Sequence, residues 1–231
     1  MNVIILAAGE GIRLRPETTN IPKGMVKLFD KSLLEMQIDI FKKCNINDIS
    51  IVSGYLSNQI TFASISYFKN KNYLSTSGIV SLFCAKEKLQ DNTIITYSDL
   101  IFDKKIIESV IDFKGDIGIA VDLDWEKNYV DRDKHPKSEA DNVLLDKDGN
   151  IRKLRKNIST CEENEKIGEC LGLMKLSKKA SQMFVDKYSE LKISHQGKFH
   201  NAPSLEKAII PDMLQELIDS EVKVEPILIS G

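Results

Sequence analysis

Apolar residues in the first half of this chain alternate between short continuous runs and stretches with helical spacing. The continuous runs are typical of strands buried on both faces of a sheet, and they lie at residues 3–6, 49–52, 92–99 and 117–122. Helical spacing covers residues 33–44, 79–89 and 106–113. This alternation predicts an α/β fold with a doubly wound, mostly parallel, Rossmann-like sheet.

The second half of the chain changes character after residue 122. Residues 122–141 are polar and aromatic without a clear period, which is typical of a long functional loop or a short flap. Strand-forming arms around Asp148 and Gly149 predict a hairpin over residues 143–154. Ser177 is a candidate cap for a helix that runs through Tyr188. The remaining predicted elements are strands at 169–177 and 222–229 and a helix at 205–218.

Composition limits the classes of protein to which the chain belongs. Hydrophobic residues make up 42% of its 231 residues, which is enough for a core, and the net charge is -2, which does not indicate a basic nucleic-acid-binding surface. The apolar runs are too short to span a membrane, and no signal-peptide pattern begins the chain. Four cysteines without CxxC spacing and three histidines without an HExxH pair favour reduced thiols over a zinc site. We therefore expect a cytoplasmic protein.

A loop with small and basic residues follows the first predicted strand. Its sequence, LAAGEGIRLRPETTNIPK, covers residues 6–23. Its small residues let backbone N–H groups approach an anion, and Arg13 offers a fork of donors to phosphate oxygens. A GxGxxG motif is excluded by Leu14, and the Walker A spacing is absent. A glycine-containing turn with solvated cations is the alternative, but the whole string in this strand context favours phosphate binding.

The string at residues 6–23 closely resembles the LAAGxGxRLxPxTxxxPK signature of nucleotidyltransferases with the sugar-nucleotidyltransferase fold. The resemblance extends over nearly the whole chain and includes INDISIVSGYL at residues 46–56. Residues 121–143 and 168–177 resemble the branch that contains phosphocholine and 2-aminoethylphosphonate cytidylyltransferases. The resemblance implies the nucleotide-diphospho-sugar transferase type of sheet in a single domain, residues 1–231, with residues 122–170 as an acceptor-side flap and hairpin.

The resemblance also implies a nucleotide site around the loop. Gly9, Gly11 and Arg13 would hold the triphosphate, and Lys23 would neutralise the α-phosphate during attack, so Arg13 and Lys23 are the predicted catalytic residues. The family's usual Lys-Ala or Lys-Pro-Met sequence is replaced here by Lys23-Gly24-Met25. The predicted nucleotide-binding residues are Leu6, Ala7, Ala8, Gly9, Gly11, Arg13, Lys23 and Ser98.

Asp99 is the candidate metal ligand. A carboxylate at the carboxyl end of a strand can hold Mg²⁺ while water and phosphate supply the other ligands. A strand-terminal aspartate that caps a loop is the alternative. The resemblance implies that Asp99 binds Mg²⁺, the expected cofactor, and that an aspartate in a segment after the last strand completes the site. Residues up to Gly231 do not include that segment.

The polar stretch around Trp125, the single tryptophan, is the candidate acceptor site. An aromatic face beside Asp122 and Asp124 suits an ammonium group, and Arg132 suits a phosphate or phosphonate. The alternative is that Trp125 and Tyr129, four residues apart, pack onto the sheet.

Two further segments are candidates for acceptor binding. Glu169 precedes a strand and either faces the same pocket or lies on a solvated edge. The resemblance implies that residues 72–82 form a substrate- or base-binding loop, and a helix cap near Ile79 is the alternative. The full set of predicted acceptor-binding residues is Thr76, Ser77, Asp122, Asp124, Trp125, Tyr129, Arg132 and Glu169.

The resemblance thus predicts a Mg²⁺-dependent cytidylyltransferase. An acceptor phosphate or phosphonate oxygen would attack the α-phosphorus of CTP, and pyrophosphate would leave. The attacking oxygen is already anionic, so positioning and charge neutralisation would replace a general base. The alternatives are a sugar-1-phosphate nucleotidylyltransferase that uses UTP or dTTP and a non-catalytic nucleotide-binding regulatory domain. The expected partners are CTP and a small phosphate or phosphonate acceptor, without nucleic acid or membrane. The oligomeric state stays open, with a homodimer as one option.

Overall fold

A computed structural model describes residues 1–132 and 135–229 of the chain. The strands are β1 (Asn2–Ala7), β2 (Lys27–Leu28), β3 (Lys31–Ser32), β4 (Ile49–Ser53), β5 (Ser66–Lys69), β6 (Thr93–Tyr97), β7 (Ile117–Asp122), β8 (Asp141–Leu145), β9 (Ile151–Lys156), β10 (Lys166–Leu176) and β11 (Glu225–Ile229). The α-helices are α1 (Leu33–Lys43), α2 (Gly78–Cys84), α3 (Lys104–Asp112), α4 (Lys178–Ser194) and α5 (Ile210–Asp219). None of the helices in these ranges is both long and apolar enough to cross a membrane.

The main sheet has the strand order β11-β7-β10-β6-β1-β4-β5, and the β8–β9 hairpin extends it from β10. β1 pairs in parallel with β4 and β6, β4 with β5, and β7 with β11. β10 is antiparallel to β6, β7 and β8. The predicted α/β fold with a mostly parallel sheet is therefore confirmed, with one antiparallel strand inserted at its centre.

The continuous apolar runs are buried on both faces, as predicted. In β1, Ile4 and Leu6 belong to the core under α2, α4 and α5, whereas Val3 and Ile5 belong to the core under α1 and α3. Alternate residues of a strand point to opposite faces, so a strand between two helical layers has to be apolar throughout.

Local capping fixes where the helices begin. The hydroxyl of Ser177 accepts a hydrogen bond from the amide of Ala180 at 3.1 Å, as predicted for the start of α4. The predicted helix over residues 205–218 is divided into a 3-10 turn, Leu205–Lys207, and α5. Asp212 causes the second start, because its side chain accepts the amide of Ile209 at 2.9 Å.

The flap has a small core of its own. Its 3-10 helix Trp125–Tyr129 packs against β10, and β8 and β9 form the predicted hairpin around Gly149, whose φ of 81° is left-handed. Trp125, Tyr129 and Ala140 are buried together, with Ile167 against them. The flap therefore rests on the carboxyl-end half of the sheet, where ligands bind in open α/β folds.

Candidate functional site

The loop after β1 folds back on itself at Gly11. Gly11 has a φ of 64°, and a Cβ there would lie 3.1 Å from the Cβ of Lys23. Its carbonyl accepts a hydrogen bond from the hydroxyl of Thr18 at 2.8 Å. Because a side chain at position 11 would be strained and crowded, the glycine lets the two ends of the loop meet.

Lys23 and Asp99 meet at the carboxyl ends of β1 and β6. The ammonium group of Lys23 donates to the carboxylate of Asp99, and both side chains are partly exposed, at 25% and 31%. Gly24 makes this approach possible: a Cβ there would lie 2.7 Å from Cγ of Leu34 and 2.9 Å from Cβ of Ser98. The Lys-Gly-Met sequence thus fits a position with no room for a side chain.

A cavity of about 360 Å³ opens above the loop. It contains most of the residues predicted to bind the nucleotide, namely Leu6, Ala7, Gly9, Gly11, Arg13, Lys23 and Ser98, together with Asp99. Ala8 is buried instead, and its carbonyl accepts the amide of Tyr55 at 3.0 Å. We call it the nucleotide cavity after the residues predicted to bind there. It brings together basic residues and a carboxylate, which are the groups that phosphate and metal binding require.

The segment before α2 contributes to the nucleotide cavity through residues that the sequence analysis did not select. Tyr73 and Leu74 line it, and Leu74 is 68% exposed. Thr76 lies outside the lining and donates its hydroxyl to the carbonyl of Asn72 at 2.9 Å. Ser77 also lies outside, and its side chain does not cap α2. Tyr73 and Leu74 both lie within residues 72–82, the segment that the resemblance implied, but Thr76 and Ser77 were the residues predicted from it.

A second cavity, of about 520 Å³, lies beside the first. The two share Arg13, Tyr97 and Asp99. Of the residues predicted to bind the acceptor, Arg132 and Glu169 line this acceptor cavity. The other polar residues of its lining, which the sequence analysis did not select, are Asn128, His135, Glu139, Asp141 and Lys156.

Charge and burial shape the pKa values around the acceptor cavity. Burial raises the pKa of Glu169, whose carboxylate accepts the hydroxyl of Tyr129. Burial and the positive charge of Arg13 lower the pKa of His135. Arg13 donates from Nη1 to Nδ1 of His135 at 2.8 Å, so a neutral imidazole fits this contact. The contact joins the loop at residues 6–23 to the flap.

The structure keeps the ring of Trp125 outside the acceptor cavity. Trp125 is 2% exposed, its Nε1 donates to the carbonyl of Ile167 at 3.3 Å, and Lys137 Nζ lies 5.2 Å from its ring centroid. This arrangement differs from the expectation that the indole faces an acceptor ammonium. The physical reason is that packing against Tyr129 in the flap core removes both rings from water.

Asp122 and Asp124 shape the turn after β7 and also lie outside the acceptor cavity. The carboxylate of Asp122 accepts the amide of Asp124 at 2.7 Å and the side-chain amide of Asn128 at 3.1 Å. Asp124 is exposed and pairs with Lys127. These contacts give both aspartates a role in turn geometry.

The residues around Asp99 are compatible with Mg²⁺. Mg²⁺ is usually held by one or two carboxylates together with water and substrate phosphates. Asp99 offers such a carboxylate at the junction of the two cavities. Within residues 1–132 and 135–229, no three His, Cys, Asp or Glu side chains gather into a larger metal-binding group.

Comparison with known families accounts for this arrangement. The family model described as the MobA-like NTP transferase domain matches residues 3–136, which is more than half of the chain. The match includes the loop at residues 6–23, Asp99 and the start of the flap. The chain therefore belongs to the MobA-like NTP transferase domain family and is a nucleotidyltransferase, as its resemblance predicted.

The relatives differ in how much of their length matches this chain. The chain is 29% identical over 242 residues to the CTP:phosphoglutamine cytidylyltransferase of Campylobacter jejuni subsp. jejuni serotype O:2, covering 100% of this chain and 93% of the relative. It is 40% identical over 106 residues to the choline-phosphate cytidylyltransferase of Streptococcus pneumoniae, and this match covers 44% of this chain and 46% of the relative. The solved structure of the CTP:phosphocholine cytidylyltransferase from Streptococcus pneumoniae superposes with a TM-score of 0.72 at 23% identity. The superposition covers 100% of this chain and 90% of the solved one. This last likeness supports the fold.

Proposed function

We propose that this nucleotidyltransferase moves CMP from CTP to a small acceptor that carries a phosphate or phosphonate, with release of pyrophosphate. The observation that carries the proposal is the pair of adjoining cavities that share Arg13, Tyr97 and Asp99. A nucleotide in one cavity and an acceptor in the other would present the α-phosphorus and the attacking oxygen to each other there.

The choice of nucleotide rests on relatives. The proteins named above act on CTP, by their names, and one of them is similar over the full length of this chain. A 2-aminoethylphosphonate cytidylyltransferase of Lancefieldella rimae is 30% identical over 46% of the chain. These relatives favour CTP over the UTP or dTTP of a sugar-1-phosphate enzyme.

The chain's own residues would act by positioning and charge. Lys23 and Arg13 would offset negative charge that builds on the α-phosphate as the acceptor oxygen approaches. Asp99 would hold Mg²⁺, which when bound supplies further neutralisation of the phosphates. The acceptor oxygen is anionic at neutral pH, so the reaction requires no residue to remove a proton.

Pyrophosphate release tests the proposal directly. CTP, UTP, ATP, GTP and dTTP would each be combined with phosphocholine, phosphoethanolamine, 2-aminoethylphosphonate, hydroxyethylphosphonate and glucose-1-phosphate, with Mg²⁺ or with EDTA. We expect release with CTP and a small phosphate or phosphonate, abolished by EDTA. Release with glucose-1-phosphate alone would support the sugar-nucleotide alternative. CTP binding without release from any acceptor would support the regulatory alternative.

A further inference from the structure

Four carboxylates line the acceptor cavity, and three have a clear partner within the described part of the chain. A carboxylate that already has a donor is less available to a ligand than one without a donor. The three pairs are Asp99 with Lys23, Glu139 with Lys156 at 2.7 Å, and Glu169 with the hydroxyl of Tyr129.

The fourth carboxylate, Asp141, is the exception. Its Oδ1 is buried and finds no hydrogen-bond partner among residues 1–132 and 135–229. Asp141 begins β8, directly opposite Lys156 on β9, but Lys156 donates to Glu139 instead. A buried polar atom without a partner destabilises the folded state. Asp141 as a residue nevertheless lines the acceptor cavity, so a ligand there can bring a donor to the exposed part of its carboxyl group.

The aromatic surroundings distinguish between two kinds of ammonium. A quaternary ammonium cannot donate a hydrogen bond and is usually recognised by several aromatic faces that form a cage. Here Trp125 is buried away from the cavity, and Arg132 lies over the ring of Tyr129 at 5.1 Å from its centroid. Of the rings in the lining, His135 is bound by Arg13, which leaves Tyr97 alone. The cavity therefore offers carboxylates rather than a cage.

The charge balance of the lining suits a zwitterion. Once Lys156 pairs with Glu139, and Asp99 with Lys23, the charged groups that remain among the lining residues within 1–132 and 135–229 are two guanidinium groups and two carboxylates. Arg13 and Arg132 are donors of the kind that bind phosphate or phosphonate oxygens. Asp141 and Glu169 are acceptors of the kind that bind N–H groups.

We propose that the acceptor carries an ammonium group with N–H donors, and that Asp141 is the residue that recognises it. This inference rests on the proposed function and narrows its acceptor to aminated phosphates or phosphonates. Fully N-methylated acceptors such as phosphocholine are poor substrates for this chain, because their nitrogen has no hydrogen to give to Asp141.

A matched pair of acceptors isolates the N–H groups. 2-Aminoethylphosphonate and its N,N,N-trimethyl analogue share the phosphonate, the spacer and the positive charge, and they differ in N–H donors and bulk. Losing a hydrogen bond to a charged group corresponds to roughly a 10- to 100-fold change. We expect kcat/KM of the wild-type protein to be higher by that factor for 2-aminoethylphosphonate than for its trimethyl analogue. The same difference should separate phosphoethanolamine from phosphocholine.

The Asp141→Asn variant tests whether Asp141 causes the preference for aminated acceptors. Asp141→Asn keeps the side-chain shape and removes the charge, so KM for 2-aminoethylphosphonate should rise about 10-fold or more. Ethylphosphonate, which has no ammonium, should keep its wild-type kcat/KM, and KM for CTP should stay constant. Glu163→Gln removes an exposed charge of the same flap outside both cavities and serves as the matched control.

The outcomes separate the inference from the proposed function. Equal kcat/KM for the aminated and trimethylated acceptors in the wild-type protein would overturn the inference while the proposed function stands, and this comparison needs no variant. If Asp141→Asn still prefers the aminated acceptor as strongly as the wild-type protein does, the role of Asp141 is overturned. If no acceptor supports turnover, the proposed function fails, and calorimetric titration of 2-aminoethylphosphonate and its trimethyl analogue into the CTP-bound protein still decides whether N–H groups are recognised.

Discussion

Replacing Asp141 by asparagine should stabilise the ligand-free protein at neutral pH. Oδ1 of this carboxylate is buried without a partner among the described residues, and burial raises the pKa of Asp141. Asparagine has nearly the same shape but no charge to desolvate. A residue that binds substrate at a cost to stability is the usual form of a stability–activity trade-off.

The size of the effect follows from the surroundings of Asp141. A buried polar group without a partner costs about 1–3 kcal/mol, and more when it is charged. Asparagine keeps the unpaired oxygen and removes only the part of this cost that is due to the charge. Asp141 is only partly buried as a whole residue, and the charges of Lys156 and Arg13 favour its ionised form, although Asp212 and Glu139 oppose it. We therefore expect Asp141→Asn to raise the free energy of unfolding by about 1 kcal/mol, the lower end of this range. For a domain of this size, that free energy corresponds to a rise in melting temperature of roughly 2–4 °C.

The sign of the pH dependence can be worked out from the direction of the pKa shift. The pKa of Asp141 is raised above its ordinary value of 3.8, so the folded protein holds this proton at pH values where the unfolded chain has lost it. Stability from this group is then complete below the ordinary value and is lost as the pH rises through the raised pKa. The advantage of the variant should therefore be smallest at the acid end of the range and should increase as the pH rises toward 8.

Thermal unfolding of the wild-type protein, Asp141→Asn and Glu163→Gln between pH 4 and 8 measures this difference. The exposed Glu163 controls for the loss of one negative charge from the flap. A melting temperature of Asp141→Asn at or below the wild-type value at pH 8 would refute the reasoning. An advantage that grows toward acid pH would refute it as well, because the carboxyl would then be stabilised in its charged form.

Three further substitutions test the nucleotide loop and the flap. Lys23→Ala should lower kcat by roughly 10²–10³ with little change in melting temperature, since it removes one preorganised donor; unchanged turnover would reject its catalytic role. Gly24→Ala should lower the free energy of unfolding by about 1–3 kcal/mol in denaturant titrations, because the new Cβ would lie 2.7 Å from Cγ of Leu34; wild-type stability would contradict that crowding. Trp125→Phe should lower the melting temperature by losing the bond to the Ile167 carbonyl while the acceptor KM stays constant. A higher KM at wild-type stability would instead place Trp125 at the acceptor.

The nucleotide loop could be predicted because its features are local. The string at residues 6–23 follows a strand whose burial is visible as an apolar run, and Asp99 ends another such strand. β1 and β6 are adjacent and parallel, so their carboxyl ends meet, and Lys23 contacts Asp99. Each step needs only strand periodicity and the rule that ligands bind at the carboxyl ends of parallel strands.

The neighbours of each strand could not be predicted in the same way. β10 was expected as a strand, but nothing in its apolar pattern indicated that it enters the sheet antiparallel between β6 and β7. Its register shifts between Cys170 and Met174, where Gly172 has a φ of 70° and a Cβ would lie 2.7 Å from the ring of Tyr97. β5 was missed because it is a largely exposed edge strand without an apolar run.

The flap shows why the lining of the acceptor cavity was harder to predict from the sequence than that of the nucleotide cavity. Trp125 is buried in the flap core, and Asp122 near it is buried as well, where its carboxylate accepts hydrogen bonds from Asp124 and Asn128. The carboxylates that line the cavity, Glu169 and Asp141, lie on β10 and β8 instead. Glu169 pairs with Asn142, the residue after Asp141, across β10 and β8. This register brings together two carboxylates that are 28 positions apart in the sequence. The proposal of an N–H-bearing acceptor rests on one of them, Asp141, whose Oδ1 has no partner among residues 1–132 and 135–229.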